Sequence, residues 1–198
     1  MTTLLTRTEL PVDTVGLARY LIGKVLVRET ADRGVLSGRI VETEAYPVGD
    51  TTSHAYRGET PRKRALFLSP GHAYVYLAYG VSYMLNVSSE VAGVGAGVLF
   101  RALEPMEGIA AMQRNRGVEA LRDLARGPGR LAAALDIDLR LDGVDLCETG
   151  PLWLARDGDE APDIGTSTRI GLSRETERPL RFYLRGSRFV SGPRRLNG

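Results

Sequence analysis

The sequence is short of cysteine, histidine and lysine, and each shortage closes off a chemistry. Cys147 is the one cysteine in 198 residues, so neither an intrachain disulfide nor a cysteine-based zinc cluster can form. A lone thiol fits a reducing compartment, most simply the cytosol. The two histidines, His54 and His72, have no carboxylate at metal-helix spacing, so a zinc or iron site is not expected. Lys24 and Lys63 are the only lysines, which leaves few amines for nucleophilic catalysis. No run approaches the roughly 18 apolar residues of a membrane span; Val91 to Phe100 is the nearest and is rich in glycine. Arg7 and Glu9 interrupt the start of the chain, so it does not read as a signal peptide.

What remains is a soluble composition, 43% hydrophobic and 25% charged, in a length that suits one domain. A chain of this size hides roughly 70% of the surface it exposes when unfolded. The net charge of +2 conceals two asymmetries. The first is arginine, which supplies 24 of the 26 basic residues. Arginine binds phosphate bidentately and stacks on bases, although codon bias produces the same excess. The second is position. Residues 57–64 and 174–195 are basic, whereas 136–163 hold nine acids against Arg140 and Arg156. Such blocks either present one basic face to a polyanion or form ordinary solvated faces.

Asp13 reads as the N-cap of a helix over 14–22, ended by Gly23. Strands are expected at 24–30 and 35–46, and residues 47–64 form a long loop rich in Gly, Pro, Ser and Thr. Residues 73–89 make a hairpin around Tyr79-Gly80. A strand over 98–103 ends at Glu104-Pro105. Helices are then expected near 106–115, 118–126 and 130–135, and short strands at 152–155 and 180–185. Strands with irregularly interposed helices indicate an α+β fold.

Four segments carry chemistry. On a strand, Ile40, Glu42, Glu44 and Tyr46 share one face and Val41, Thr43 and Ala45 take the other, the natural core face. Two carboxylates beside a ring form either a solvated surface or a general base next to a stacking platform. Tyr74, Tyr76, Tyr79 and Tyr83 place half of the eight tyrosines in ten residues. Strand propensity explains part of this, but a ring at a hairpin tip cannot bury itself in its own domain. Such a wedge can unstack a duplex, and aromatic faces can hold an extruded base. His54, in the long loop, is either a pocket donor or a surface histidine. Arg101 interrupts an apolar strand and, if buried, needs a carboxylate such as Glu44. Asn86 is a similar polar exception. Gly127-Pro128-Gly129-Arg130 lacks nucleotide-loop spacing but can offer backbone N–H groups to a phosphate.

Taken in order, Val41-Glu42-Thr43-Glu44-Ala45-Tyr46, Ser53-His54, Thr60-Pro61-Arg62, Pro70-Gly71-His72-Ala73-Tyr74-Val75-Tyr76, Tyr79-Gly80, Leu85-Asn86-Val87, Arg101-Ala102-Leu103-Glu104-Pro105, Gly127-Pro128-Gly129 and Pro179-Leu180-Arg181-Phe182-Tyr183 resemble the alkyladenine (3-methyladenine) DNA glycosylases. The resemblance runs from about Leu5 to Val190. It implies a single α+β domain with an antiparallel sheet, surrounding helices and a protruding hairpin. The activity it implies is hydrolysis of the N-glycosidic bond of alkylated or deaminated purines in double-stranded DNA, by a monomer without metal or cofactor. Glu44 would activate water, with Arg101 and a backbone carbonyl at or near Ile170 helping to hold it. Tyr46, His54, Tyr76 and Asn86 would form the base pocket, and Tyr79 would fill the gap left in the duplex. Arg57, Arg62, Lys63, Arg64 and Arg130 would contact phosphates. Lys63 replaces a frequent Asn and Arg130 a frequent Lys, both compatible with phosphate contact, while segment 156–168 departs from the family pattern.

Two other classes remain to be separated. A binding module without catalysis would use the tyrosine hairpin and the arginines and have no need of Glu44. A sugar hydrolase would pair Glu42 with Glu44, but the basic C-terminal block favours a polyanion, whose binding falls steeply with salt.

Overall fold

The computed structural model describes residues 2–158 and 161–197. Asp159 and Glu160, part of the acidic block, lie outside the described residues. One antiparallel sheet organises the chain. Its strands are β1 (Thr3–Leu4), β2 (Val25–Thr30), β3 (Gly34–Tyr46), β4 (Ala73–Ala78), β5 (Ser82–Ser88), β6 (Gly97–Glu107), β7 (Leu152–Arg156), β8 (Ile164–Ser167) and β9 (Arg181–Leu184). The order is β1-β7-β2-β3-β6-β5-β4, with β8 and β9 joined through β3. Helices α1 (Thr14–Tyr20), α2 (Ile109–Arg116) and α3 (Pro128–Ala134) complete an α+β architecture. No helix among the described residues is long and apolar enough to cross a membrane.

Asp13 caps α1 through a bond from the Gly16 amide, as its position predicts. The helix lies against β3, where the Thr43 hydroxyl donates to the Ala18 carbonyl oxygen at 2.8 Å. Leu17, Leu21, Ile40, Ala45, Leu85, Phe100, Leu103, Leu131 and Leu154 belong to the main core.

β3 is the axis of the site. One edge pairs with β6; the other pairs with β2 over its first half and with β9 at Glu42, Thr43 and Glu44. The ladder with β6 loses register on both sides of Glu42. This bulge corrects the simple alternation expected for the strand. Ile40 joins the main core with Ala45, and Val41 packs separately with Ala102, Tyr183, Phe189 and Val190. An extra residue shifts the side-chain phase, so Ile40 does not share the face of Glu42 and Glu44. The solvated-surface reading of that face also fails, because both carboxylates are 0% exposed.

Three further expectations are corrected. β6 continues through Glu104-Pro105 to Glu107. Beyond Leu99 its second edge leaves β5, and an edge tolerates proline. The helix expected near 118–126 is a single 3₁₀ turn at Leu121–Asp123, because Ala125 and Arg126 bond instead to Leu103 and Ala102. The long loop holds two 3₁₀ helices, His54–Arg57 and Pro61–Phe67.

Phe100 is fully buried in the main core. Phe100→Ala should destabilise the protein by about 3–5 kcal/mol, read from the shift of a urea unfolding midpoint.

Candidate active site

Glu44 and Tyr46 leave the end of β3, and Arg101 faces them from β6. The Tyr46 hydroxyl donates to Glu44 Oε2 at 2.9 Å, and the Ile170 amide donates to Oε1 at 2.7 Å. Arg101 Nη1 lies 3.2 Å from the same Oε1. All three groups donate, so the carboxylate acts only as an acceptor here. Arg101 thus has the partner its lone position in an apolar strand requires.

Glu42 carries the other half of the arrangement. Its Oε1 accepts from Arg101 Nε at 2.9 Å, Arg181 Nε at 2.7 Å and the Ser191 hydroxyl at 2.9 Å, and its Oε2 accepts from the Ser191 amide at 2.6 Å. Burial works to raise the Glu42 pKa, but the Arg101 and Arg181 charges and the Ser191 bond outweigh it and hold the group below its usual value. For Arg101 too, burial opposes the charged form and the two glutamates overcome it, raising its pKa. Arg181 is fully buried and also binds the carbonyls of Ser191 and Leu196 and the Asn197 side chain. This corrects the reading of residues 174–195 as one basic face: Arg181 faces inward, and Arg178 is paired with Glu175.

Tyr46, Ser53, His54, Tyr74, Tyr76, Asn86, Leu99 and Leu172 line a cavity of about 210 Å³ with Tyr79 at its rim. Glu44 and Arg101 lie behind it and touch it through Tyr46. The His54 and Tyr76 rings are 4.3 Å apart, and His54 Nδ1 shares a 2.9 Å hydrogen bond with the Tyr74 hydroxyl. Desolvation against these rings, with the Lys63 charge nearby, lowers the His54 pKa. Burial, then the Glu44 carboxylate, raises that of Tyr46. Both groups are therefore uncharged hydrogen-bonding partners at neutral pH. Asn86 is buried, with its amide 3.4 Å from the Tyr74 carbonyl.

Tyr79 is 98% exposed at the β4–β5 tip and has a positive φ of 52°. Gly80 follows at 70°, so the two central residues adopt the left-handed conformation that closes a tight hairpin. A tyrosine there is strained, and its ring stands in solvent rather than against the fold.

A groove of about 830 Å³ adjoins the cavity and shares His54, Tyr74 and Tyr76 with it. Arg57, Arg62, Lys63 and Arg174 line it. Lys63 Nζ already donates to the carbonyls of His54 and Gly58, so it also ties the loop together. Arg64 is exposed nearby in the chain. Arg130 stands apart on α3, half-exposed and 3.7 Å from Asp123, in the helix that packs against β5.

Sequence reasoning missed Arg181, Ser191, Arg169, Asp50 and the groove position of Arg174. Arg181 carried the same signal as Arg101, a lone arginine in an apolar strand. Among the described residues, no group of three His, Cys, Asp or Glu side chains is placed to hold a metal ion.

Fold and site together define a protein with a nucleobase-sized aromatic cavity over a buried carboxylate. The chain belongs to the methylpurine-DNA glycosylase family, whose profile matches residues 8–188, and is a base-excision-repair DNA glycosylase. It is 69% identical to a Mesorhizobium japonicum protein over 96% of this chain and 91% of that one. It is 56% identical to a Paraburkholderia phytofirmans protein, covering 97% and 90%. A Rubrobacter xylanophilus relative is 49% identical, covering 90% and 92%. Each bears the name "Putative 3-methyladenine DNA glycosylase".

Because the folded-state pKa of Glu42 is depressed, its pairing stabilises the protein above the ordinary carboxylate value of 4.5 and is lost as pH falls through the folded value. Glu42→Gln should cost about 3–5 kcal/mol at pH 7 by leaving Arg181 unbalanced. It should also flatten the decline in stability below pH 4.5, measured by urea titrations from pH 7 to 3.

Proposed function

We propose that this chain extrudes a damaged purine nucleotide from double-stranded DNA and hydrolyses its N-glycosidic bond, with Glu44 as the general base. The observation that carries this reading is the buried Glu44 carboxylate, fixed by Tyr46, Ile170 and Arg101 directly behind the aromatic cavity. A glycosidic bond is hidden inside a duplex, so the nucleotide must leave the stack at a cost of a few kcal/mol. Tyr79, exposed at the hairpin tip, fills the space left behind. Tyr46, His54 and Tyr76 hold the base on their faces, and Asn86 tests its edge.

Glu44 takes a proton from water as the water oxygen bonds to the sugar carbon. The bond to the base nitrogen breaks and its electrons leave with the purine. Arg101 and the Ile170 backbone keep the water and the carboxylate in line. An alkylated purine already carries positive charge and leaves readily; an uncharged one relies on hydrogen bonds from the pocket. Substrates of the 3-methyladenine, hypoxanthine and ethenoadenine class fit these requirements. Neither lysine lines the base cavity, which supports monofunctional hydrolysis to an intact abasic site. Lys24 Nζ instead lies 4.9 Å from the centre of the Tyr20 ring. Arg57, Arg62, Lys63 and Arg64 on the groove side and Arg130 on the hairpin side give the duplex phosphates two footholds. The protein acts as a monomer in the cytosol, on nucleoid DNA, and needs no metal or cofactor.

Two substitutions test the reading in EDTA, with single-turnover excision of hypoxanthine or 1,N6-ethenoadenine from a duplex. Glu44→Gln should lower excision at least about a hundredfold while damaged duplex is still bound. Equal excision by wild type and variant would remove Glu44 from the chemistry; binding without excision by either, on methylated DNA as well, would leave a binding module. Tyr79→Gly should keep stability within about 1 kcal/mol, since glycine accepts the positive φ, yet lower excision about tenfold or more.

A further inference from the structure

The proposed reaction leaves Arg169 without a role, yet its side chain is entirely buried against the site. Nη1 binds Asp50 Oδ2 at 2.6 Å and the Ala45 carbonyl oxygen at 3.0 Å. Nε and Nη2 are buried with no hydrogen-bond partner among the described residues. The guanidinium carbon lies 4.6 Å from the centre of the Tyr46 ring. Tyr46 lines the base cavity and Arg169 does not, so Tyr46 is the side chain through which this cation adjoins the cavity wall.

A π face attracts a cation, and this one already holds a guanidinium. A base stacked on the open side of Tyr46 feels that charge through the ring, in surroundings too dry to screen it. A purine with a positive charge is repelled; an uncharged purine is not. Asp50 tempers the effect. Its carboxylate also accepts from Thr52, and Arg178 Nη1 lies 3.4 Å from Oδ2.

We propose that Arg169, acting through the Tyr46 ring, is a positioning residue that biases the cavity away from cationic damaged purines and towards uncharged ones. This rests on the glycosylase reading above. The test is single-turnover excision from duplexes carrying 7-methylguanine, a cationic base, or hypoxanthine, an uncharged one. The readout is the ratio of the two rates, which does not depend on the fraction of protein that is active. Arg169→Met should raise the cationic-to-uncharged ratio at least threefold. Asp50→Asn, which leaves the guanidinium uncompensated, should lower it by a similar factor. Arg169→Lys, which keeps the charge, should stay within twofold of wild type even if both rates fall. General loosening of the site would move the first two variants in the same direction. Ratios that move together, or do not move, overturn the proposal. A wild type inert on both duplexes overturns the glycosylase reading with it, whereas an active wild type with unchanged ratios in the variants overturns this inference alone.

Discussion

Glu42, Glu44, Arg101 and Arg181 lie in the dry interior between β3, β6 and β9, and each depends on the others. A single buried charge is costly; a pair with its remaining hydrogen bonds met is tolerated. Arg101 bridges the two glutamates. Arg181 and Ser191 hold Glu42, which leaves one guanidinium nitrogen of Arg101 for Glu44. The C-terminal segment closes the set, since Ser191, Leu196 and Asn197 all bind Arg181. The candidate base is therefore fixed by a network that spans the chain from residue 42 to residue 197.

The network sits where the sheet branches. Over its first half β3 has β2 at one edge, and over Glu42 to Glu44 it has β9. The bulge at this junction turns two acidic side chains out of the main core and towards the arginines of β6 and β9. Above this rigid floor the cavity is made from more adaptable parts. Tyr46 comes from the end of β3, Tyr74 and Tyr76 from an edge strand, and His54 from a 3₁₀ turn. Tyr79 projects from the three-residue tip between β4 and β5. Buried and mutually paired charges lie around the carboxylate, and the most exposed ring, Tyr79, lies at the rim.

Much of this was legible in the residues. Apolar segments bounded by turn residues marked β2 to β6, Asp13 marked the start of α1, and Tyr79-Gly80 marked the tip. Arg101 was legible as a buried cation in need of a carboxylate, because no charge stands alone in an apolar strand without one. The same argument applied to Arg181, but a count of charges along the chain set it among surface residues. Charge counts ignore strand alternation, and Arg181 lies between Leu180 and Phe182. The bulge could not be read, because a period of two carries no mark of the residue at which it slips. β8 has one strongly apolar residue, Ile164, beside Gly165, Thr166 and Ser167, too little to mark a strand, and its ladder comes from β9. The pairing of Arg169 with Asp50 joins segments more than a hundred residues apart and leaves no local pattern.

The buried charges of the site come in balanced numbers: Glu42, Glu44 and Asp50 against Arg101, Arg169 and Arg181. Balance means that the cavity's preference for one charge state of base cannot come from a net charge beneath it. It must come from placement. Arg101 bridges Glu42 and Glu44, and Arg181 pairs with Glu42, behind the cavity. Arg169 is different, because beside its bond to Asp50 its guanidinium carbon lies 4.6 Å from the centre of the Tyr46 ring, which lines the cavity. The same ring donates its hydroxyl to Glu44, so one side chain joins the cavity wall to the candidate base. Any change in how Tyr46 is held acts on both.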